Sequence, residues 1–432
     1  MASIFADRQP SNVGDVISDG FMYEPKGVAV DGRGIRQNVP PYNASTFAGG
    51  STMLFNIPCS RPNHFLNGRQ TVLKFDITNT DATAGDDISL DYVADSLIQS
   101  LTLYHGSNQL ENLREYGVLS VLQKDLQGTP NKQRLLEGQH ASTARTGLAI
   151  DDGSDVLTVC LALNSGLIGK SAPKYLPSFA MTGGDLRLEI ELASNTNGVV
   201  HAVNEAVWSI SNVELLLEYG ELTPSATESI MRAYPDFVFN FDTFENSAQT
   251  VASATQAQVL IPARYSRLKT LYSTFRNTAV INVAAAKTVS NRSNPSMSSW
   301  YYSVGGVHYP PTAVSSTAAG DGQGGLNDCE SFCELTKAYH GLGDRHDVQI
   351  NLAEFNQTYG AVTDDAAHAI GMDLEWLTNK SHSAISGIDT KTLNTYLIAS
   401  WASAPGYTQQ IDTFAQFDAV AFVRSGVMDV RR

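Results

Sequence analysis

Apolar and polar residues alternate along short stretches of this chain, which is the period of a β-strand with one buried face. The alternation is complete over residues 185–192, where Leu186, Leu188 and Ile190 fall on one side and charged residues on the other. Glycine, proline and asparagine punctuate such stretches, so the sequence predicts an all-β protein. Further strands are predicted at residues 53–57, 72–78, 96–104, 156–163, 212–220, 268–275, 300–306, 370–376, 393–399 and 418–426.

Two stretches have helical spacing instead. Over residues 110–126, Leu119, Leu122 and Leu126 recur three or four positions apart, which places them on one face of a helix. Acidic residues at its start and a lysine near its end complement the helix dipole. A second helix is predicted at residues 327–338, where Asn and Asp begin the run and a glycine follows it.

A third, shorter helix is predicted in the middle of the chain, after the strand that ends at Gly220. Pro224 suits a first helical turn, and Ser225 with Glu228 has the spacing of a capping box. Pro235 ends this helix. A polar connection then leads to the next strands, which begin at Ile261.

The second half of the chain repeats the landmarks of the first in the same order. Strands, one inserted helix and further strands occur on each side of the central helix, although the two halves share little identity. The matching landmarks are Asn79-Thr80 with Asn277-Thr278, residues 100–106 with 300–306, the two longer helices, and residues 212–220 with 418–426.

This order predicts two tandem eight-stranded antiparallel jelly rolls, a double jelly roll, each with a short inserted helix and joined by a helical linker. Residues 1–45 contain four prolines and show no sustained period. We expect them to form an extended arm that reaches a neighbouring copy. The predicted divisions are an arm at 1–45, a first roll at 46–222, a linker at 223–235 and a second roll at 236–432.

The length and charge of the chain narrow the range of functions that the sequence allows. The 432 residues fit two domains, and hydrophobic residues make up 42% of the chain. Acidic residues outnumber basic ones by 44 to 29, giving a formal net charge of −15 that repels a phosphate backbone. We therefore expect no direct, sequence-specific binding of nucleic acid. The chain shows neither a membrane span nor the apolar run of a signal peptide, so we expect synthesis inside a cell without secretion.

Candidate chemistry is sparse, and we predict no catalytic, cofactor or metal site. The four cysteines are too few for a disulfide scaffold and are expected to be reduced. Cys329 and Cys333 stand one helical turn apart near His340, but the sequence favours small buried side chains over metal ligands there. The other weak candidates are the His/Asp loop at 340–347, the glycine-rich loop at 320–325, and the acidic pairs Asp86-Asp87, Asp151-Asp152 and Asp364-Asp365.

A series of short motifs runs through the chain, each weak singly but consistent in order and spacing. The motifs are residues 55–59 (Phe-Asn-Ile-Pro-Cys), 73–75, 103–106 before a helix, 266–272, 304–311, 386–390 and 417–419. Over residues 50–432 this series resembles the double jelly-roll major capsid proteins of the adenovirus, polinton, adintovirus and virophage lineage. The resemblance implies a homotrimer whose six jelly rolls form a pseudo-hexagonal, hexon-like capsomer in an icosahedral shell.

The same resemblance implies that the protein lies in the virion and contacts neighbouring capsomers, penton and minor capsid proteins, and, in a virus that has one, an inner membrane. The chain is short for this family, so we expect low outer towers, with the loop at 312–325 as one candidate. It also lacks a strongly basic arm.

Two other classes of function remain open from the residues. A two-domain sandwich that binds carbohydrate, or a spike, would use exposed aromatics such as Trp300, Trp401 and Tyr407. A jelly-roll glycoside hydrolase would need paired carboxylates, and Glu189 with Glu191 share one strand face. That pair is also the outward half of a regular alternation, which favours a solvated strand face over an enzyme.

Overall fold

The structure is a computed structural model, and the residues that it describes are 32–81, 86–127, 130–140, 145–151, 155–201, 207–316, 328–339, 348–375 and 387–432. Two helices in the first half are α1 (Tyr116–Gln127) and α2 (Pro130–Leu136). Its strands are β1 (Gly32–Val39), β2 (Thr46–Ala48), β3 (Thr52–Ile57), β4 (His64–Leu66), β5 (Val72–Asn79), β6 (Ile88–Leu90), β7 (Ile98–His105), β8 (Asn108–Arg114), β9 (Ala149–Ile150), β10 (Val156–Ala162), β11 (Leu186–Leu192), β12 (Val199–His201) and β13 (Trp208–Leu222).

Helix α3 (Pro224–Ala233) connects the halves, and the second half contains α4 (Cys329–Tyr339) and α5 (Leu352–Asn356). Its strands are β14 (Phe237–Val251), β15 (Gln256–Ile261), β16 (Leu268–Asn277), β17 (Met297–Val304), β18 (Val307–Ser315), β19 (Ala369–Asp373), β20 (Thr395–Trp401), β21 (Gln409–Arg424) and β22 (Val427–Arg431).

Each half contains two main antiparallel sheets with the same strand order in both halves, and the first half has a further small sheet of β12, β6 and β9. In the first half the orders are β1-β13-β5-β10 and β3-β11-β7-β8, with β2 and β4 added along β13. In the second half they are β14-β21-β16-β19 and β15-β20-β17-β18, with β22 added to β21. Replacing each strand of the first half by its counterpart in the second reproduces both orders. The predicted double jelly roll, with eight principal strands in each half, is confirmed.

The alternating pattern of the sequence places one face of each strand in a core. Leu186, Leu188 and Ile190 are fully buried, and Leu73 and Phe75 on β5 are buried with them in the same apolar cluster. Burying each such side chain contributes roughly 1.5–3 kcal/mol relative to leaving it exposed. The two inward faces therefore hold each pair of sheets together.

The first inserted helix starts later than the sequence predicted. Residues 108–114 form β8, which pairs with β7 across a turn at Gly106, where φ is +60°. Leu110 and Leu113, both buried, lie three positions apart and imitate helical spacing. The helix begins only after Glu115, whose φ of +49° separates strand from helix.

The linker helix is confirmed, but its predicted capping box is wrong. Thr223 is the N-cap and Pro224 occupies the first turn, so Ser225 already lies inside the helix. Instead, the Glu228 carboxylate lies 3.7 Å from the guanidinium of Arg232, which is one helical turn later, and both side chains are exposed. Since Thr223 makes no side-chain capping bond, the proline is the main local signal for the helix start.

Two other stretches differ from the expectation. The polar connection before Ile261 is β14, a 15-residue strand, followed by β15. Many β14 side chains are half-buried, because among the described residues this strand pairs only with β21. The end of the expected arm, residues 32–39, forms β1 and pairs with β13 in the first sheet.

Candidate functional site at the interface between the two halves

Charged side chains lie buried between the two halves of the molecule, residues 32–222 and residues 237–432. Asp125, near the end of α1, forms ion pairs with Arg145 of the first half and Arg292 of the second. All three side chains are at most 2% exposed. We call these three residues the seam triad.

Hydrogen bonds cross between the halves around the seam triad. Arg145 donates to the carbonyl oxygen of Ser290, and its guanidinium carbon lies 5.3 Å from the centre of the Tyr92 ring. The Tyr92 hydroxyl donates to Gln349 Oε1 at 2.8 Å. The Gln349 backbone N–H donates to the Asp125 carbonyl oxygen at 3.0 Å. The triad is therefore part of a network that fixes both halves.

The triad shares one carboxylate between two cations. Burial opposes the charge of Arg145, but the adjacent Asp125 raises the pKa of this guanidinium above its usual value. Burial lowers the pKa of Arg292, as does the like charge of Arg145, and Asp125 works in the opposite direction. Without the Asp125 carboxylate, two buried positive charges would face each other in a medium of low dielectric constant.

A second buried ion pair lies within the second half and is linked to the first half at the start of α1. Arg276 on β16 contacts Asp412 on β21, with its Nε and Nη2 at 2.9 and 2.7 Å from Asp412 Oδ2. Its Nη2 also donates to Glu115 of the first half at 3.1 Å. Burial works against the charged form, yet Asp412 and Glu115 together raise the pKa of Arg276. This arginine anchors the start of α1 to the second sheet.

The third contact between the halves is a buried glutamate. Glu111 on β8 accepts hydrogen bonds from the Thr243 hydroxyl on β14 at 2.8 Å, from the Gly166 N–H at 3.0 Å, and from the Ser165 hydroxyl. Burial raises the pKa of Glu111 against these bonds. A Cβ at Gly166 would lie 2.1 Å from the Asp242 carbonyl oxygen, so the backbones approach here as only glycine allows.

These three contacts are buried or partly buried between the two halves, so their chemical role is to hold the halves in one orientation. The sequence did not reveal them. Each joins polar residues that are far apart in the chain, and the sequence around one partner does not indicate the other.

Most of the weak sequence candidates have ordinary structural roles. Cys329 and Cys333 are exposed on α4, so the prediction that they are buried is wrong. Asp364 accepts from the backbone of Gly360 at 2.9 Å, and Asp365 pairs with Lys287. The loops at 320–325 and 340–347, with His340 and Asp152, lie outside the described residues, as does most of the loop at 312–325.

One cluster has donors suited to a cation. Oxygens of Asp81 and Asp86 and a ring nitrogen of His201 lie within 4.8 Å of one another. Carboxylate and imidazole ligands together suit a divalent transition metal. The sequence paired Asp86 with Asp87 and missed the other two, because His201 approaches from a strand more than a hundred residues later.

The residues of the two alternative functions are accounted for by packing. Trp300 is fully buried and donates to Ser331 at 3.0 Å, and Trp401 is 5% exposed, so neither presents a ring to a sugar. Tyr407 is partly buried, with its ring centre 5.4 Å from that of Tyr359.

The carboxylates Glu189 and Glu191 each have a partner on the outer face of the sheet. Arg187 Nε lies 3.0 Å from Glu189, and the Ser100 hydroxyl donates to Glu191 at 2.9 Å. This is the solvated strand face that the alternation indicated. Among the described residues, no helix is both long and apolar enough to cross a membrane.

Comparison with solved structures identifies the fold. A chain of the PBCV-1 virus capsid matches with a TM-score of 0.65 and 12% identity over 95% of this chain and 99% of that one. The Faustovirus major capsid protein matches at 0.61 with 10% identity, over 96% and 94%. The mavirus major capsid protein matches at 0.57 with 10% identity, over 98% and 95%.

Comparison by sequence finds no match, either to a family model or to a curated protein. The structural match extends over nearly the whole length of both partners, so it includes both sandwiches and the connection between them. The chain therefore has the double jelly-roll fold of viral major capsid proteins.

Proposed function

We propose that this chain is the major capsid subunit of a virus, which forms homotrimers and tiles an icosahedral shell as a pseudo-hexameric, hexon-like capsomer. The observation that carries the proposal is the repeated strand order of the two halves. Because each chain has two similar rolls, three copies together present six similar corners. A particle with three-fold symmetry therefore fits a lattice in which each particle has six neighbours.

The contacts between the two halves, which we call the seam, support this role. A capsomer keeps its hexagonal outline only if the two rolls of each subunit cannot rotate against each other. The seam triad, the Arg276–Glu115 pair and Glu111 join the halves through buried or partly buried charged hydrogen bonds, which are directional as well as strong. A lectin or spike with two independent domains would have no need of such a connection.

The proposed partners follow from the shell. The subunit would contact two more copies in its trimer, then neighbouring capsomers, penton and minor capsid proteins, and in a virus with an inner membrane that membrane as well. Obligate interfaces of the trimer kind bury on the order of 2,000–5,000 Å². The protein would reside in the virion, and its role would be structural rather than enzymatic.

We further propose residues 46–222 and 236–432 as the two rolls, with 223–235 as linker. Strand β1 is an addition to the first roll from the arm. The acidic net charge of −15 supports assembly without direct sequence-specific contact with the genome.

Sedimentation of the purified protein at micromolar concentration tests the proposal. We expect a species of three times the 46.6 kDa chain mass, stable on dilution. A single species at the monomer mass, with nothing larger at any concentration up to 100-fold higher, would refute the capsid proposal.

A further inference from the structure

An apolar groove of about 750 Å³ opens on the surface between the first half and the linker helix. Two of its aromatic lining residues, Phe65 and Phe237, both pack against Phe179. The ring centres of Phe65 and Phe179 are 5.0 Å apart, and those of Phe179 and Phe237 are 5.7 Å apart. The groove therefore rests on packed side chains from both halves.

The rim of the groove is unusually exposed for apolar residues. Tyr175 is 58% exposed, and Tyr234 and Val238 are 63% and 54% exposed. All three line the same groove. Clustered apolar exposure of this kind marks a surface that something covers, whereas single exposed apolar residues are common.

One wall of the groove is bare backbone. Gly34 of β1 and Gly220 of β13 are direct partners in the sheet and both line the groove. A Cβ at either glycine would meet nothing within 4 Å, so the space above the pair is open. Paired glycines in strands commonly mark a place where another backbone approaches closely.

The groove also contains unpaired strand edges. Among the described residues, β1 pairs only with β13, and β14 pairs only with β21. Residues 32–34 of β1 and 237–239 of β14 both line the groove. An extended segment placed there could hydrogen-bond to an edge while its side chains cover the apolar rim.

The chain itself supplies such a segment, because it enters β1 at Gly32, which lines the groove. The eleven residues before that point, 21–31, can span about 35 Å when extended. They contain two apolar groups, Phe21-Met22-Tyr23 and Val28-Ala29-Val30. Because the segment is tethered at the groove, its effective concentration there is in the millimolar range or above.

We propose that residues 21–31 of the same chain dock in this groove, with their backbone over the Gly34–Gly220 pair and their apolar side chains against the rim. The docked segment covers Tyr175, Tyr234 and Val238 and joins the first roll to the linker helix. Only residues 1–20 then extend as the free part of the arm towards a neighbour.

Hydrogen exchange of the full chain, read by mass spectrometry, tests the docking. The reference is a synthetic peptide of residues 21–31. We expect amides of residues 24–31 to exchange at least tenfold more slowly in the protein than in the peptide. Val238→Asp and Tyr175→Ser, which change two exposed residues of the rim, should each accelerate this exchange at least tenfold.

The matched control is Val307→Asp, because Val307 is 57% exposed on β18 and does not line the groove. It should leave the exchange of residues 24–31 unchanged. Exchange in the unmodified protein at the rate of the free peptide would overturn the proposal. So would equal acceleration by the groove variants and the control.

A cross-link separates docking within one chain from docking between copies. Val28→Cys and Tyr234→Cys would be combined in a Cys329→Ser, Cys333→Ser background, which removes the two exposed thiols. Mixed isotope-labelled and unlabelled protein should yield cross-links within single copies. Cross-links only between labelled and unlabelled copies, or none at all, would contradict docking in the chain's own groove.

Discussion

The interior of each roll and the seam between the rolls are built on opposite principles. Inside a roll, the contacts are apolar, as with Leu188 and Phe75, and many similar side chains share the stabilisation. At the seam, a few buried charges such as Asp125 and Arg292 meet in a fixed geometry. Apolar packing tolerates small shifts, whereas a buried charge out of place loses most of its compensation. The difference assigns stability to the rolls and relative orientation to the seam.

Removing the shared carboxylate should produce the largest effect. Asp125→Asn leaves Arg145 and Arg292 buried without a countercharge, so we expect a loss of about 3–5 kcal/mol in the free energy of unfolding. Urea denaturation followed by tryptophan fluorescence measures it. A loss below 1 kcal/mol would mean that the triad does not fix the halves.

A triple replacement sharpens the same point. Asp125→Leu with Arg145→Met and Arg292→Met removes all the charges together, so we expect most of the stability lost by the single variant to return. If the triple variant is less stable than Asp125→Asn, the loss came from packing and not from uncompensated charge.

A truncation inside a roll should cost slightly less. Leu188→Ala leaves a cavity between the two sheets of the first half, with an expected loss of about 2–5 kcal/mol measured in the same denaturation. Hydrogen exchange should accelerate throughout the first roll but leave the orientation of the halves, read by small-angle scattering, unchanged. An altered scattering profile in the folded variant would contradict the division of roles.

Acidification should weaken the second half through a buried histidine. His368 is fully buried, with Nδ1 at 3.2 Å from the Phe355 carbonyl oxygen and 3.7 Å from Asp328. Burial lowers the pKa of His368, although Asp328 opposes the shift, so the unfolded chain binds a proton more readily. This contribution to stability is complete above the unfolded pKa of about 6.5 and is lost as pH falls towards the folded pKa.

The slope for that single group is at most about 1.4 kcal/mol per pH unit. Measuring the free energy of unfolding from pH 7.5 to 5 for the unmodified chain and for His368→Gln isolates it. Parallel curves for the two proteins would show that His368 does not titrate on unfolding.

An exposed ion pair should matter least. Glu228 and Arg232 on the linker helix are 68% and 84% exposed, so Glu228→Gln should change the free energy of unfolding by less than about 0.5 kcal/mol. The variant is also the control for Asp125→Asn, since both replace a paired carboxylate by an amide. A loss comparable to that of Asp125→Asn would remove the distinction between buried and exposed pairs.

The regular alternation of β5 and β11 made the strands of the rolls predictable from the sequence, and the order of landmarks revealed the repeat. Prediction failed where a strand lacked a fully buried face. The edge strand β14 was missed because the alternation of Phe237, Phe239 and Phe241 is short and the ten residues that follow it are mostly polar. Strand β8 was mistaken for a helix because Leu110 and Leu113 stand three positions apart, which is helical spacing. In the strand both are buried because a β-bulge shifts the register between β8 and β7 at Leu110.

The seam could not be predicted for a different reason. Asp125, Arg145 and Arg292 are separated by up to 167 positions, and each would read as a surface residue in its local context. A charge in a sequence is normally solvated, and only the fold brings these three together. The groove was missed likewise, since Gly34 and Gly220 become partners only when β1 pairs with β13.

Negative-stain electron microscopy of the purified full chain tests the central claim most directly, namely that two rolls fixed by a seam let three copies imitate a six-sided tile. We predict class averages with three-fold symmetry and a hexagonal outline. Particles of two lobes at variable angles, without three-fold symmetry, would contradict it.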